Sequence, residues 1–252
     1  MKSWRLLPLR VDEPFYSMAI DEAILRLKAD GKSPNTLRFW RWRPSSVSLG
    51  YFQSLNREVD LEVAKKRGVA VVRRITGGGA VFHDHDGELT YSVVCGQNDV
   101  PRDIEKSFEA ICEGLIRGFK RLGLDACFSP LNDISVGSKK ISGSAQTRKW
   151  RCLLQHGTIL IDPDIRLMFE LLRVSPEKIT DKFISSAYER VTSIKRELGE
   201  KPSFEEVKEA MRLGFEESFG ISFEEGELSS EEISLAEELK EKYASSEWLM
   251  KR

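Results

Sequence analysis

The stretch Val71-Val72-Arg73-Arg74-Ile75-Thr76-Gly77-Gly78-Gly79-Ala80-Val81-Phe82-His83-Asp84 gathers the densest chemistry in this chain of 252 residues. Three consecutive glycines can turn their amides toward one point and let a ligand approach the backbone closely. Two arginines just upstream add fixed positive charge on planar forks suited to carboxylate or phosphate. The pattern points to anion binding, because a plain hairpin between core strands needs one or two glycines and no arginines. It is not a Walker loop, since no Gly-Lys-Ser/Thr follows. It is not a dinucleotide fingerprint, since Ala80 to His83 continues as a strand and not as a helix.

A second cluster is Asn132-Asp133-Ile134-Ser135-Val136-Gly137-Ser138-Lys139-Lys140-Ile141-Ser142-Gly143-Ser144-Ala145-Gln146. Asp133 could hold Mg²⁺, which favours a carboxylate together with substrate oxygens. A lysine ahead of a small-residue strand can aim its ammonium into a crevice. Taken alone, the segment reads equally as a turn at Gly137-Ser138 with two solvated lysines. In the third cluster, Leu154-Gln155-His156-Gly157-Thr158, a histidine inside an apolar strand is first of all a core residue. His83 and His85 would share one face of a strand, as a metal pair must, but no further ligands cluster nearby. Cys95, Cys112, Cys127 and Cys152 form no CxxC pair, and with no secretion signal they read as reduced thiols of a cytoplasmic protein.

These groups need a scaffold, and the patterning supplies one. Helices are expected over Phe15–Lys28, Leu61–Gly68 and Ile104–Leu122, from a capping box at Ser203 to Gly220, and from Ser229/Ser230 to Tyr243. Strands are expected over Leu37–Trp42, Val47–Phe52, Val69–Val72, Glu88–Cys95 and Leu153–Ile161. Strands follow one another without intervening helices, so the fold class is α+β, with a mixed or antiparallel central sheet flanked by helices. Forty per cent apolar residues suffice for one sizeable core, and no apolar run is long enough to span a membrane. Charge is balanced overall, with 39 basic and 40 acidic residues, which argues against a dedicated polyanion binder. It is uneven along the chain: residues 197–252 hold 16 acidic and 7 basic side chains. One domain over 1–252 is expected, with a small acidic helical part from about 197 and no separate accessory domain.

In this order and at these separations, the three clusters resemble the lipoate–protein ligases. Their superfamily also holds biotin–protein ligases and octanoyltransferases. Met18-Ala19-Ile20-Asp21-Glu22-Ala23 looks like the family's N-terminal helix motif, and Ser48-Leu49-Gly50-Tyr51-Phe52-Gln53 like the strand and turn after it. The segment 73–84, Asn132-Asp133, Lys140-Ile141-Ser142-Gly143 and His156-Gly157-Thr158 match the catalytic core. The resemblance implies ATP-dependent activation of lipoate or octanoate to acyl-AMP, then transfer to a lysine of a lipoyl carrier domain. Such domains belong to 2-oxoacid dehydrogenase E2 components or to glycine cleavage H proteins. It implies ATP and Mg²⁺ as cofactors and Lys140 as the catalytic group bridging acyl carbonyl and phosphate. Arg73, Arg74, Gly77, Gly78, Gly79, Ala80, Val81, Phe82, His83, Asp84, Asn132, Asp133 and Gly143 would line the nucleotide and acyl-adenylate. Gly77–Gly79, His156 and Gly157 would border the acyl pocket, and Asp133 would hold the metal.

Two departures qualify this. The chain stops near the expected end of the catalytic domain, which suggests a separate small accessory subunit. It begins directly in the catalytic pattern, without a helix-turn-helix for nucleic acid. The second departure is Cys127-Phe128 followed by Gly143-Ser144-Ala145-Gln146-Thr147-Arg148 and Leu154-Gln155-His156-Gly157. These look like the cysteine-dependent octanoyltransferases, which move octanoyl from acyl carrier protein without ATP and would make Cys127 the nucleophile. Asn132-Asp133, shared with the ATP-using enzymes, favours the ligase as the leading expectation.

Overall fold

The computed structural model describes residues 2–172, 186 and 189–251. Among the described residues its main sheet has nine strands. These are β1 (Lys2–Leu6), β2 (Arg10–Asp12), β3 (Thr36–Trp42), β7 (Glu88–Gly96), β8 (Ala126–Ser129), β9 (Asp133–Val136), β10 (Lys139–Lys149), β11 (Cys152–Leu160) and β12 (Ile221–Glu225). They run in the order β12-β1-β3-β7-β11-β10-β9-β8, and β2 pairs with the far end of β3. β1 is parallel to both β12 and β3, and β2 is parallel to β3. From β3 through β8 every pairing is antiparallel. The mixed sheet expected from the sequence is therefore present. β7 and β11 lie at its centre and are buried along almost their whole length, so neither shows the alternation of a strand with one wet face.

A three-stranded sheet, ordered β5-β4-β6, packs beside this one: β4 (Ser46–Leu49), β5 (Ala70–Arg73) and β6 (Val81–His83). β4 ends at Leu49, three residues short of the strand expected to Phe52. Gly50 lies so close beneath the Gly78 carbonyl that a Cβ there would overlap it, and the chain must turn away. α2 (Leu55–Glu58) and α3 (Leu61–Arg67) lead from β4 to β5. Asp60 caps α3 by accepting from the Glu62 and Val63 amides, and Gly68 ends it at φ 65°.

Helices cover both faces of the main sheet. On one face α4 (Ile104–Arg121) packs against α7 (Phe204–Phe219). Their axes approach closely because Gly114, Gly118 and Gly214 meet at the crossing, where any Cβ would collide with the facing helix. Leu115, Phe119, Met211 and Phe215 then fill the space over Phe39, Tyr91 and Val93. α7 starts in the capping box read from the sequence, with Ser203 and Glu206 bonded reciprocally. On the other face α1 (Pro14–Ala29) packs under α8 (Ser230–Ala244), burying Met18, Ile20 and Ile24 with Trp40, Trp42 and Tyr243. β12 extends the sheet and α8 covers its face, so the acidic C-terminal segment is built into the main layers. Three short helices complete the described residues: α5 (Ile165–Leu171), α6 (Ile194–Leu198) and α9 (Ser246–Leu249). No described helix is long and apolar enough to cross a membrane.

Candidate active site

Between the two sheets lies a cavity of about 280 Å³. Its apolar wall comes from Met18, Trp40, Trp42, Phe82, Leu160 and Met168, and its polar wall from Arg74, His83, Asn132, Lys140 and His156. Gly78, Gly79, Gly143 and Gly157 bring backbone to the surface between these walls. The three clusters read from the sequence thus meet at one place, although β6 is far in the chain from the β10-β11 hairpin.

The glycine loop is held by a buried network centred on Arg74. Its guanidinium donates to the carbonyls of Ser48 at 2.9 Å, Gly77 at 2.7 Å and Gly79 at 2.8 Å. It also donates to Thr76 Oγ1 at 3.0 Å. Burial pulls its pKa down to about 10, so it stays charged at neutral pH. Thr76 Oγ1 is 2.7 Å from His156 Nε2, and His156 Nδ1 donates to Asp21 Oδ2 at 3.0 Å. Burial lowers the His156 pKa against the pull of Asp21, which favours the neutral ring. A neutral ring with its proton on Nδ1 accepts from the Thr76 hydroxyl, which in turn accepts from Arg74. Burial acts to raise the Asp21 pKa, but Arg38 at 2.7 Å, His156 and Ser92 outweigh it and the net shift is downward. On the other flank Ser48 Oγ is 2.8 Å from His83 Nε2, and His83 Nδ1 is 2.7 Å from Glu88 Oε2. The His83 ring stacks on Trp42 at 4.2 Å. His83 and His85 do not form a metal pair. β6 ends at His83, and His85 turns away to contact the Trp42 carbonyl at 2.6 Å.

Arg73 takes a different place from its neighbour. Consecutive strand residues face opposite sides, and its guanidinium points away from the cavity. It donates to the carbonyls of Gly50, Gln53, Trp248 and Leu249 at 2.7–3.1 Å. Trp248 Nε1 donates back to the Arg73 carbonyl at 2.8 Å. Arg73 therefore ties α9 to the turn after β4. Asp84 also lies off the cavity wall, where its carboxylate accepts from the Asp86 and Asp164 amides.

The opposite side is a ribbon of β8, β9 and β10. Lys140 Nζ lies 2.8 Å from Asp133 Oδ1. The contact is an ion pair off the angle of a directed hydrogen bond, which leaves that oxygen otherwise unpartnered. Gly143 makes the geometry possible, because a Cβ there would sit 2.6 Å from Lys140 Nζ. Asp133 was the expected Mg²⁺ ligand, yet it faces an ammonium. Among the described residues no three His, Cys, Asp or Glu side chains group to hold an ion. Asn132 clamps the strand end, accepting from the Ser144 amide at 2.9 Å through its carbonyl and donating its side-chain amide back to the Ser144 carbonyl. Cys127 pairs with Ser135 across β8 and β9, and Ser135 pairs with Lys140 across β9 and β10. Directly opposed residues share a face, so Cys127, Ser135 and Lys140 line up on one side of the ribbon. Phe128 and Ile134 pack into the core on the other side. Cys127 is exposed, whereas Cys95, Cys112 and Cys152 are buried. Burial drives the Cys95 and Cys112 thiols up to about 12, which disfavours them as nucleophiles.

The lipoyl protein ligase A/B catalytic-domain model matches residues 13–216. The chain belongs to that family. It is 38% identical to the octanoyltransferase LipM of Kyrpidia tusciae, over 98% of each chain. It is 34% identical to the octanoyltransferase LipM of Bacillus subtilis, over 100% of this chain and 99% of that one. Among solved structures it resembles a bipartite lipoate–protein ligase of Thermoplasma acidophilum, with a TM-score of 0.88 and 37% identity. That match covers 99% of this chain and 97% of the other. A lipoate–protein ligase A bound with ATP gives a TM-score of 0.86 and 36% identity, over 99% of each. The family and fold expected from the motifs are thereby shown. The leading functional expectation, an ATP-dependent lipoate ligase, is overturned, because the curated relatives matching at 33–38% over essentially full length are octanoyltransferases. Asn132-Asp133 does not single out the ATP-using enzymes, because in this fold Asn132 clamps β10 at Ser144 and Asp133 contacts Lys140.

Proposed function

We propose that this chain transfers an octanoyl group from an acyl carrier thioester, through Cys127, to a lysine of a lipoyl-domain protein. The observation that carries the reading is the alignment of exposed Cys127 with Lys140 on one face of the β8-β9-β10 ribbon, with Lys140 itself lining the cavity. Two strand spacings separate their backbones by about 10 Å, a gap that a lysine side chain can largely span. A thioester is already an activated acyl donor, so no adenylate step is required.

Cys127 Sγ attacks the octanoyl carbonyl. The new C–S bond replaces the one to the carrier, and the carrier thiolate leaves and takes up the proton. The neutral acceptor amine then attacks the Cys127 thioester. An amide bond forms, the bond to Sγ breaks, and the surplus proton passes to the departing sulfur. The Lys140 ammonium stabilises negative charge first on sulfur and then on the carbonyl oxygen. Asp133 holds that ammonium, and the apolar wall receives the octanoyl chain while excluding water from the thioester. Arg74 and its histidine partners keep the glycine loop in shape without touching the reacting atoms.

The test is acyl transfer by Cys127→Ser beside Cys152→Ser. Loss in the first variant alone, with an octanoyl thioester mapped to Cys127 in the wild type, supports the reading. Full turnover by Cys127→Ser would remove it.

A further inference from the structure

The segments Gly143 to Arg148 and Leu154 to Gly157 send side chains to both faces of the main sheet. Ala145 and His156 oppose one another toward the glycine loop, while Gln146 and Gln155 oppose one another on the α4 face. On the α4 face a hydrogen-bonded chain crosses three strands. At its outer end Arg148 donates to the carbonyls of Arg102 at 2.6 Å and Pro101 at 2.9 Å, and its Nε donates to Gln146 Oε1 at 3.3 Å. Ser107 Oγ of α4 lies 3.1 Å from the same oxygen. Gln146 Nε2 donates to Gln155 Oε1 at 3.0 Å, and Gln155 Nε2 donates to the Tyr91 hydroxyl at 2.8 Å. That hydroxyl is 2.8 Å from Ser144 Oγ. Because the Gln155 amide can only donate, the single phenol proton is left for Ser144. Tyr91 and Gln155 are fully buried. Burial pushes the Tyr91 pKa up, so the phenol keeps that proton.

We infer that Tyr91 and Gln155 are positioning residues for the transfer: they hold Ser144, and through it Gly143, against which the Lys140 ammonium rests beside Asp133. The inference rests on the octanoyl-transfer reading for what that ammonium does, and adds how its place is set from the far face of the sheet. Gly143 pairs with Asp133 across β9 and β10, and a Cβ on Gly143 would lie 2.6 Å from Lys140 Nζ and 3.2 Å from Asp133 Oδ1. A shift of Gly143 therefore moves the surface on which the ion pair sits. The β9-β10 ladder changes register between Lys140 and Ser142, so backbone pairing is interrupted just where the lysine must be placed. The side-chain chain supplies the missing constraint at the next residue. Apolar packing would hold β10 down without fixing it along its length, whereas directed hydrogen bonds fix both. A displaced Ser144 would also leave buried polar groups unpaired, which is costly.

The experiment uses Tyr91→Phe and Gln155→Leu, which break the chain at two points while nearly keeping side-chain volume. Each is compared with the wild type, with Lys140→Ala and with the matching double variant, after circular dichroism has checked folding. Either variant alone carries the comparison if the other does not fold. Expected is a fall of about tenfold in kcat, with KM for the lipoyl domain unchanged. Added to Lys140→Ala, the same change should cost nothing further, because a residue that acts through the ammonium then has nothing left to place. The ¹³C signal of Lys140 Cε, assigned by its loss in Lys140→Ala, should move in both variants while the other lysine signals stay in place. An equal loss of kcat with and without Lys140, or a Lys140 signal that does not move, marks a merely structural role and overturns the inference. If the wild type forms no acyl-enzyme, the transfer reading fails, and the lysine signal still decides whether the chain positions Lys140.

Discussion

Arg74 and Lys140 both bring positive charge to the cavity, from opposite walls and under opposite conditions. Arg74 is buried, and its donors are committed to the carbonyls of Ser48, Gly77 and Gly79 and to Thr76. Lys140 has a side chain 42% exposed, paired with a carboxylate itself 31% exposed. The first wall is pre-built: its polar groups are satisfied before any substrate arrives. The second wall, with Cys127 beside it, keeps its charges reachable and adjustable. The comparison separates shape from chemistry. Residues of the glycine-loop wall hold a form, and on the proposed octanoyl-transfer reading residues of the ribbon meet the reacting atoms.

Substitutions on the two sides should therefore fail differently. Lys140→Ala is expected to lower acyl transfer by roughly a hundred- to a thousandfold, about 2.7–4 kcal/mol of transition-state stabilisation, with the melting temperature nearly unchanged. Its neighbour Lys139, which alternation turns to the other face, should tolerate alanine. Steady-state rates and thermal melts of both variants check this. Arg73→Met should show the reverse. Removing a buried cation from the carbonyls of Gly50, Gln53, Trp248 and Leu249 is expected to cost about 3 kcal/mol, or roughly 6–12 °C in a protein of this size. Its transfer rate well below the melt should stay within a few fold of wild type. A dead but stable Arg73→Met would return that side chain to the site and break the distinction.

The smallest effect expected is on pH dependence, through His156. Its folded pKa is lowered by burial, while the unfolded imidazole titrates near 6.5. Below that value the unfolded state binds more protons than the folded one, so stability declines as pH falls through about 6.5 and is intact above it. The lowered Asp21 carboxyl adds a separate loss, beginning only as pH approaches its unfolded value near 3.9. Denaturant melts between pH 7.5 and 5.5 should show the upper slope in the wild type and a flatter one in His156→Gln. Equal slopes would mean that the Asp21–His156–Thr76 chain does not bear on the loop.

Local patterns made much of this legible. Helix ends at Ser203 and Gly220 were written in caps, and the strand after the glycines in its β-branched and aromatic run. β1 and β12 escaped because each is only five residues long and their pairing joins the two ends of the chain. β8 and β9 escaped because, unlike the apolar runs of β5 and β6, their sequences Ala126-Cys127-Phe128-Ser129 and Asp133-Ile134-Ser135-Val136 mix small and polar residues. The site was legible by residue type but not by side. Arg73 closes β5 with Arg74 directly after it, and Lys139-Lys140 open β10, so in such extended chain one member of each pair faces away. Which one faces the cavity is fixed by the sheet pairing, which the local sequence does not show. Glu88, which holds His83, was read only as the start of a strand, although His and Glu five apart across a turn could have marked the pair.

The claim that chemistry resides on the ribbon is tested most directly by incubating the purified chain with octanoyl-loaded acyl carrier protein in the absence of ATP. Intact-mass and peptide mapping then read the product. The expected result is one octanoyl adduct on Cys127, absent from Cys127→Ser and discharged when an apo lipoyl domain is added. An enzyme that remains unmodified, or one acylated at another residue with Cys127→Ser still turning over, would contradict it.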